Sequence, residues 1–148
     1  MNNTRRRQIN KEIKTLETVK ALMEGYDKMY SAKELTEDEV AEIKDSLENA
    51  SSILTDVSST IDDLSMEERD AYDNLPEGLQ MSEKGDAMEM AADNLETARD
   101  YIDDAASNVD DIVSDLDMYD AEEGLDVDFS SAVDAINDAV DSLNEAME

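Results

Sequence analysis

The 148-residue chain contains no cysteine, no histidine and no tryptophan. Without cysteine it can form no disulfide and has no thiol nucleophile, and without histidine it lacks the commonest metal ligand and the imidazole base. We therefore expect no bound metal, no cofactor and no enzymatic activity. The lack of disulfides also fits a protein of the cytoplasm.

Turn-forming and aromatic residues are scarce as well. The chain has four glycines, one proline, five tyrosines and one phenylalanine, which are too few for a β-sandwich with many tight turns. Alanine, leucine, isoleucine, valine and methionine must fill the core, and methionines such as Met81, Met88 and Met90 are expected to be flexible core fillers. The sequence predicts an all-α fold, a helical bundle of three to four main helices with coiled-coil character. No apolar run is long enough to span a membrane, and the basic start does not resemble a signal peptide.

Charge is distributed unevenly between the two parts of the chain. The formal net charge is −29, from 41 acidic and 12 basic residues. Residues 1–33 are net basic, and residues 34–148 are strongly acidic. This predicts a basic N-terminal helix at 1–33 and an acidic helical bundle at 34–148 within one domain. From Asp100 onward there is no basic residue, which indicates a surface for a cationic partner rather than for nucleic acid or an anionic membrane.

The apolar residues follow a helical period. Steps of three and four residues continue for more than four heptads, which distinguishes a packed helix from a disordered acidic tail. This stripe comprises Met88, Ala91, Leu95, Ala98, Ile102, Ala105, Val109, Ile112, Leu116 and Tyr119. Similar stripes predict a first helix at about Thr4–Tyr30 and a second helix through Val40 and Leu64. A last helix ending near Met147 has its predicted stripe at Val133, Ile136, Val140, Leu143 and Met147.

Local signals suggest where these helices begin and end. Thr36 and Glu39 form a capping box at the start of the second helix. Ser65 and Glu68 form another, which predicts a separate short helix from Met66 to about Asn74. The sequence Leu-Pro-Glu-Gly at 75–78 then breaks the chain. A loop is expected at 120–128, with Asp128 or Ser130 capping the last helix.

The acidic residues occupy their own heptad positions. With Leu95 as position a, every b position of the long helix is acidic, and further acids fill c and f, on the side opposite the apolar stripe. The last helix repeats the arrangement. The candidate partner-binding residues are Glu96, Asp100, Asp103, Asp104, Asp110, Asp111, Asp115, Asp117, Asp134, Asp138, Asp141 and Glu145.

The density of these acids is comparable to that of a nucleic acid. One such helix presents a charge every ~4 Å, and two adjacent helices are expected to approach ~2 Å, against about 1.7 Å for duplex DNA. A solvated helix face is the alternative interpretation. Against it, like charges at i,i+4 destabilise a helix, and solubility needs a net charge of only about 2 to 8. Calcium is disfavoured because the acidic segments 115–120 and 126–131 lack the glycine of an EF-hand loop.

The basic tripeptide Arg5-Arg6-Arg7 has a different expected role. Because so many acids compete for it, we expect it to dock on acidic surface of its own chain or of a second copy, ahead of contact with nucleic acid or lipid. Association of two copies into a homodimer stays open.

A segment of about 30 residues resembles one common in small acidic helical proteins encoded by phages and prophages. The resemblance rests on residues 68–89, above all YDNLPE at 72–77 and the Ser-Glu-Lys-Gly spacing at 82–85, followed by DNLE at 93–96. In its acidic, helical character the chain is also similar to phage-encoded DNA mimics that block restriction enzymes or CRISPR nucleases. The first resemblance implies a mobile-element setting, and hence the cytoplasm of an infected or lysogenic bacterium.

These observations together lead to a functional expectation. The chain is expected to be a DNA-mimic inhibitor whose partner is a basic nucleic-acid-binding protein, with a Cas9-type nuclease first and a restriction enzyme next. Two alternatives remain. One is a structural or adaptor coiled-coil protein without inhibitory activity, and the other is an acidic chaperone for a basic protein.

Overall fold

A computed structural model describes residues 1–30, 35–119 and 127–148 of the chain. Nearly all of these residues lie in helices. The helices are α1 (Asn3–Tyr30), α2 (Glu37–Asp73), α3 (Glu77–Gln80), α4 (Glu83–Asp117) and α5 (Ser130–Met147). These parts contain no strand, so the predicted all-α helical bundle is confirmed. None of these helices has an apolar stretch long enough to cross a lipid bilayer.

The four long helices surround one core. The backbone of α4 follows α2 and α5 closely, whereas α1 packs against α2 and α5 at fewer points. The basic helix α1 therefore lies diagonally across the bundle from α4. The predicted apolar stripes of α1, α2 and α4 supply the core, with Ile9, Leu47 and Ile102 completely buried.

Small residues explain why α4 and α5 lie so close together. Alanines from both helices are buried in the core, and their short side chains let the backbones approach. They are Ala91, Ala98 and Ala105 of α4, and Ala132, Ala139 and Ala146 of α5. The predicted stripe of α5 is therefore wrong in part, because the helix is rotated so that its alanines meet the core. Val133, Val140 and Met147 are only partly buried.

The second helix continues through the point where the sequence predicts a new one. Ser65 and Glu68 lie inside α2, so the predicted separate helix at 66–74 is wrong. Both side chains have tertiary partners instead of capping a helix: the Ser65 hydroxyl lies 3.4 Å from the carbonyl oxygen of Ala92, and Glu68 is buried against Arg5. The cap at Thr36 is confirmed, because its hydroxyl accepts a hydrogen bond from the Glu39 N–H at 3.2 Å.

The two ends of the α2–α4 pair are closed in different ways. At one end the short helix α3 packs so tightly on the start of α4 that a Cβ added to Gly85 would overlap the carbonyl oxygen of Gln80. At the other end the Tyr119 hydroxyl accepts a hydrogen bond from the Leu35 N–H at 2.9 Å. Most of the predicted loop at 120–128 lies outside the described residues.

Candidate protein-interaction surface

A row of polar contacts joins α2 to α4 along one edge of their interface. We call it the polar ladder. Its contacts are Lys44 with Asp117 (2.6 Å), Ser51 with Asp110 (2.7 Å), Ser58 with Asp103 (2.5 Å) and Ser65 with Glu96 (3.4 Å). Successive contacts are seven residues apart on both helices, in opposite directions, as antiparallel heptads require.

The polar ladder corrects the predicted position of four candidate acids. Glu96, Asp103, Asp110 and Asp117 are the b-position residues, which the heptad placed opposite the apolar stripe. They instead border the α2 interface, where they accept hydrogen bonds or pair with a cation. An apolar stripe shows which side of a helix is buried, but it does not show how far the neighbouring helix reaches around that side.

Two arginines strengthen the same edge. Arg99 of α4 donates to Asp62 of α2 at 2.6 Å and to Asp100 at 2.7 Å. Arg69 of α2 donates to Glu96 at 2.7 Å and to Asp93 at 3.0 Å. The hydrogen bonds that these carboxylates accept raise the pKa of both guanidinium groups.

Lys44 is a third cation that pairs α2 with α4. Its hydrogen bond to Asp117 and the charge of that carboxylate raise the pKa of the Lys44 amine. Residues 34–148 contain only four basic side chains, and three of them, Lys44, Arg69 and Arg99, are engaged between α2 and α4. Of these four basic residues, only Lys84 is left for the rest of α4 and α5.

The other candidate acids form a separate surface on α4 and α5. All are exposed, and none of their carboxylates has a hydrogen bond or ion pair with another described residue. We call this set the outer acidic surface, and it consists of Asp104, Asp111 and Asp115 of α4 with Asp134, Asp138, Asp141 and Glu145 of α5. Asp100 is exposed as well, but it binds Arg99.

The charge spacing of the outer acidic surface differs from the expected value. Glu145 lines the same groove as Asn94, so α5 runs antiparallel to α4 and the surface extends from that level to Asp115. Seven carboxylates over about 32 Å of helix give one charge per ~4 to 5 Å. The expected ~2 Å for two helices is not reached, because the ladder acids face α2. The spacing is closer to that of one DNA strand, at about 3.4 Å.

Two cations at the start of the chain contact acids of α2. Arg5 donates to Glu67 at 3.0 Å and to the buried Glu68 at 2.9 Å, which confirms docking on the chain's own acids for this member of the tripeptide. The α-amino group of Met1 lies 2.8 Å from the other oxygen of Glu68. These two cations are held by α2, whereas Lys20 of α1 donates a hydrogen bond to the side-chain oxygen of Asn137 on α5 at 3.1 Å, next to Asp138.

The start of α5 has a local hydrogen bond. The N–H of Ser130 donates to the Asp128 carboxylate at 2.8 Å. The Asp128 carboxylate accepts hydrogen bonds from the hydroxyl and the N–H of Ser130, and these bonds lower its pKa. Phe129 stands directly before α5 and makes no side-chain cap. Asp128, one residue earlier, therefore has the capping role that the sequence predicted for Asp128 or Ser130. Within 1–30, 35–119 and 127–148, no three or more acids are grouped as a metal site would require.

Several exposed residues were not predicted as part of a site. Met81 and Met90 are 81% and 64% exposed, so the expectation that they fill the core is wrong, although Met88 is buried. Asp86 and Glu89 are exposed acids of α4 that the candidate set omits. Continuing the heptad toward the start of α4 would have found both acids.

Comparison of this chain with protein-family models, with curated proteins and with solved structures finds no match.

Proposed function

We propose that this protein is a DNA mimic that inhibits a nucleic-acid-binding enzyme by occupying its cationic cleft. The observation that carries the proposal is the outer acidic surface, in which none of the seven carboxylates of two adjacent helices has a hydrogen bond or ion pair with a described residue. Such an arrangement destabilises both helices, since like charges at i,i+3 and i,i+4 repel. A cationic partner would relieve this repulsion on binding.

The polar ladder supports the choice of the outer acidic surface, rather than of all the candidate acids, as the partner-binding surface. Ladder carboxylates already have partners in α2, so their contribution is to helix packing. The outer carboxylates project from helices whose apolar faces are buried in one core, and their spacing is close to that of the phosphates of one strand. Lysine and arginine side chains that hold phosphates could therefore bind several of them at once.

The target that fits best is a host defence nuclease. A Cas9-type effector comes first, because its nucleic-acid channels are strongly cationic, and a restriction enzyme comes next. This choice follows the resemblance to phage-encoded proteins. A structural or adaptor role is the second candidate. For the acids of the polar ladder this role is favoured, because they accept hydrogen bonds between α2 and α4.

Two variants with the same change in net charge test the proposal. One replaces Asp104, Asp111 and Asp115 with alanine, and the other replaces Asp103, Asp110 and Asp117. The measurements are DNA cleavage by a purified Cas9–guide RNA complex or restriction enzyme, competition with DNA, and the melting temperature of each variant.

The two variants should separate recognition from stability. The outer variant should inhibit at least about tenfold more weakly, as expected for the loss of three ion pairs. Its melting temperature should not fall. The ladder variant should melt at a lower temperature than the outer variant and keep more of its inhibition. Affinity of the unaltered protein should fall steeply with salt. Binding that saturating DNA does not displace would rule out mimicry, and equal inhibition by the outer variant and the unaltered protein would rule out this surface.

A further inference from the structure

An apolar groove lies at one end of the outer acidic surface. It occupies about 480 Å³ between the start of α4 and the end of α5, and it is lined by Ala87, Met90, Ala91, Asn94, Glu145, Ala146 and Glu148. Met90 and Ala87 are exposed, although their neighbour Ala91 is buried in the core. Exposed methionine beside a groove is typical of surfaces that adapt to a partner's apolar side chain.

Charge at the rim indicates which kind of partner fits. The charged residues that line the groove, Glu145 and Glu148, are both acidic. Glu145 also belongs to the outer acidic surface, and Asp141 lies one helical turn away from it on α5. A segment that fills the groove with an apolar side chain would therefore meet carboxylates along the α5 side of the groove, which complement lysine or arginine.

We propose that the groove takes an apolar anchor of a cationic polypeptide segment, one whose leucine or methionine is flanked by lysines or arginines. This inference rests on the proposed function for its cationic partner, and it adds that the partner is recognised partly by an apolar contact. Charge complementarity gives fast association that salt screens, whereas a buried apolar anchor supplies binding energy that salt does not screen.

The test uses two short lysine-rich peptides of equal charge, labelled with a fluorophore. One carries leucines at two positions one helical turn apart, and the other carries serines there. Binding to the full chain is measured by fluorescence anisotropy at several salt concentrations. The groove variant is Ala87→Gln with Met90→Gln, which removes apolar lining without changing charge. Its matched control is Met118→Gln, because Met118 is another methionine of the α4 end region and is 76% exposed.

The leucine peptide should bind the unaltered chain about tenfold more tightly than the serine peptide. The groove variant should lose this difference, and Met118→Gln should keep it. The dependence of affinity on salt should be the same in all three proteins, since no charge has changed. Equal affinity for the two peptides, or an unchanged leucine preference in the groove variant, would overturn the inference. So would sedimentation showing a dimer that only the groove variant dissociates, because the groove would then hold a second copy of this chain.

The outcomes for the groove and for the proposed function are distinguishable. A leucine preference in a protein that does not compete with DNA would overturn mimicry and support the groove. Competition with DNA but no leucine preference would overturn the groove alone.

Discussion

The hydroxyl of Ser58 in α2 donates a hydrogen bond to the carboxylate of Asp103 in α4, across the most extensive helix interface of the bundle. Ser58 is buried, whereas Ser59 beside it is exposed. The bond shows how a chain with few cations uses its acids in packing, because a serine hydroxyl can satisfy a carboxylate without adding a charge.

Replacement of Ser58 should therefore be measurable. Ser58→Ala removes the donor and should lower the free energy of unfolding by about 1 kcal/mol, the usual net value of a hydrogen bond. Ser59→Ala is the control and should change it by less than about 0.5 kcal/mol. Urea unfolding of both variants, and of each combined with Asp103→Ala, measures the coupling. Additive effects of Ser58→Ala and Asp103→Ala would show that the bond does not form in solution.

Docking of α1 should depend on one buried carboxylate. Glu68 is completely buried and contacts Arg5, whose side chain is only 16% exposed. Glu68→Gln leaves the guanidinium without its buried counter-charge, so the free energy of unfolding should fall by about 3 kcal/mol or more. Glu67 also binds Arg5 but is 59% exposed. Glu67→Gln should cost less than about 1 kcal/mol in the same urea titration. Similar losses in the two variants would contradict the docking geometry.

Two glycines should respond to alanine in opposite directions. A methyl group on Gly85 would overlap backbone atoms of Gln80 and Leu79, so Gly85→Ala must displace α3 and should destabilise the protein by about 1–3 kcal/mol. Gly25 lies within α1 with open space around the added carbon. Gly25→Ala should stabilise the protein by up to about 1 kcal/mol, through helix propensity. Thermal unfolding distinguishes them, and a stabilising Gly85→Ala would show that α3 does not pack on α4 as described.

The hydrogen bond at the start of α5 should depend on pH. Ser130 lowers the folded-state pKa of Asp128 below its ordinary value of 3.8. The ionised form is thus favoured in the folded protein, and its stabilisation is complete above that pH and disappears as the pH falls through the folded pKa. Asp128→Ala should lower the melting temperature at pH 7, and the difference should vanish in strong acid. Asp134→Ala, which removes an exposed acid without a described partner, is the control. A difference that persists in acid would contradict this account.

Much of the fold could be predicted from the sequence, for a physical reason. The stripes through Leu16, Leu54 and Ile102 specify which side of each helix is buried, because burial of apolar area dominates helix packing. The cap at Thr36 was also predictable, since it involves only neighbouring residues. Ser65 and Glu68 have the same local pattern, but partners in α1 and α4 override it.

The site was harder to predict because its geometry depends on neighbouring helices. Asp103 and Asp104 are adjacent aspartates, and both are exposed. Only Asp103 has a partner in α2, and this depends on where α2 lies around α4. The groove beside Met90 was missed because a methionine at helical spacing has the same pattern in a core and on a surface.

The regular spacing of the polar ladder has a consequence for how α2 and α4 align. A slip of α4 along α2 by one heptad, about 10 Å, would place Ser51 opposite Asp103, Ser58 opposite Glu96 and Ser65 opposite Glu89, and every hydroxyl would again face an acid. The ladder therefore stabilises the pair without selecting its alignment. The alignment is selected by contacts that the slip would break. These are the ion pair of Arg99 with Asp62, the hydrogen bond between Tyr119 and Leu35, and the close fit of Gly85 against α3.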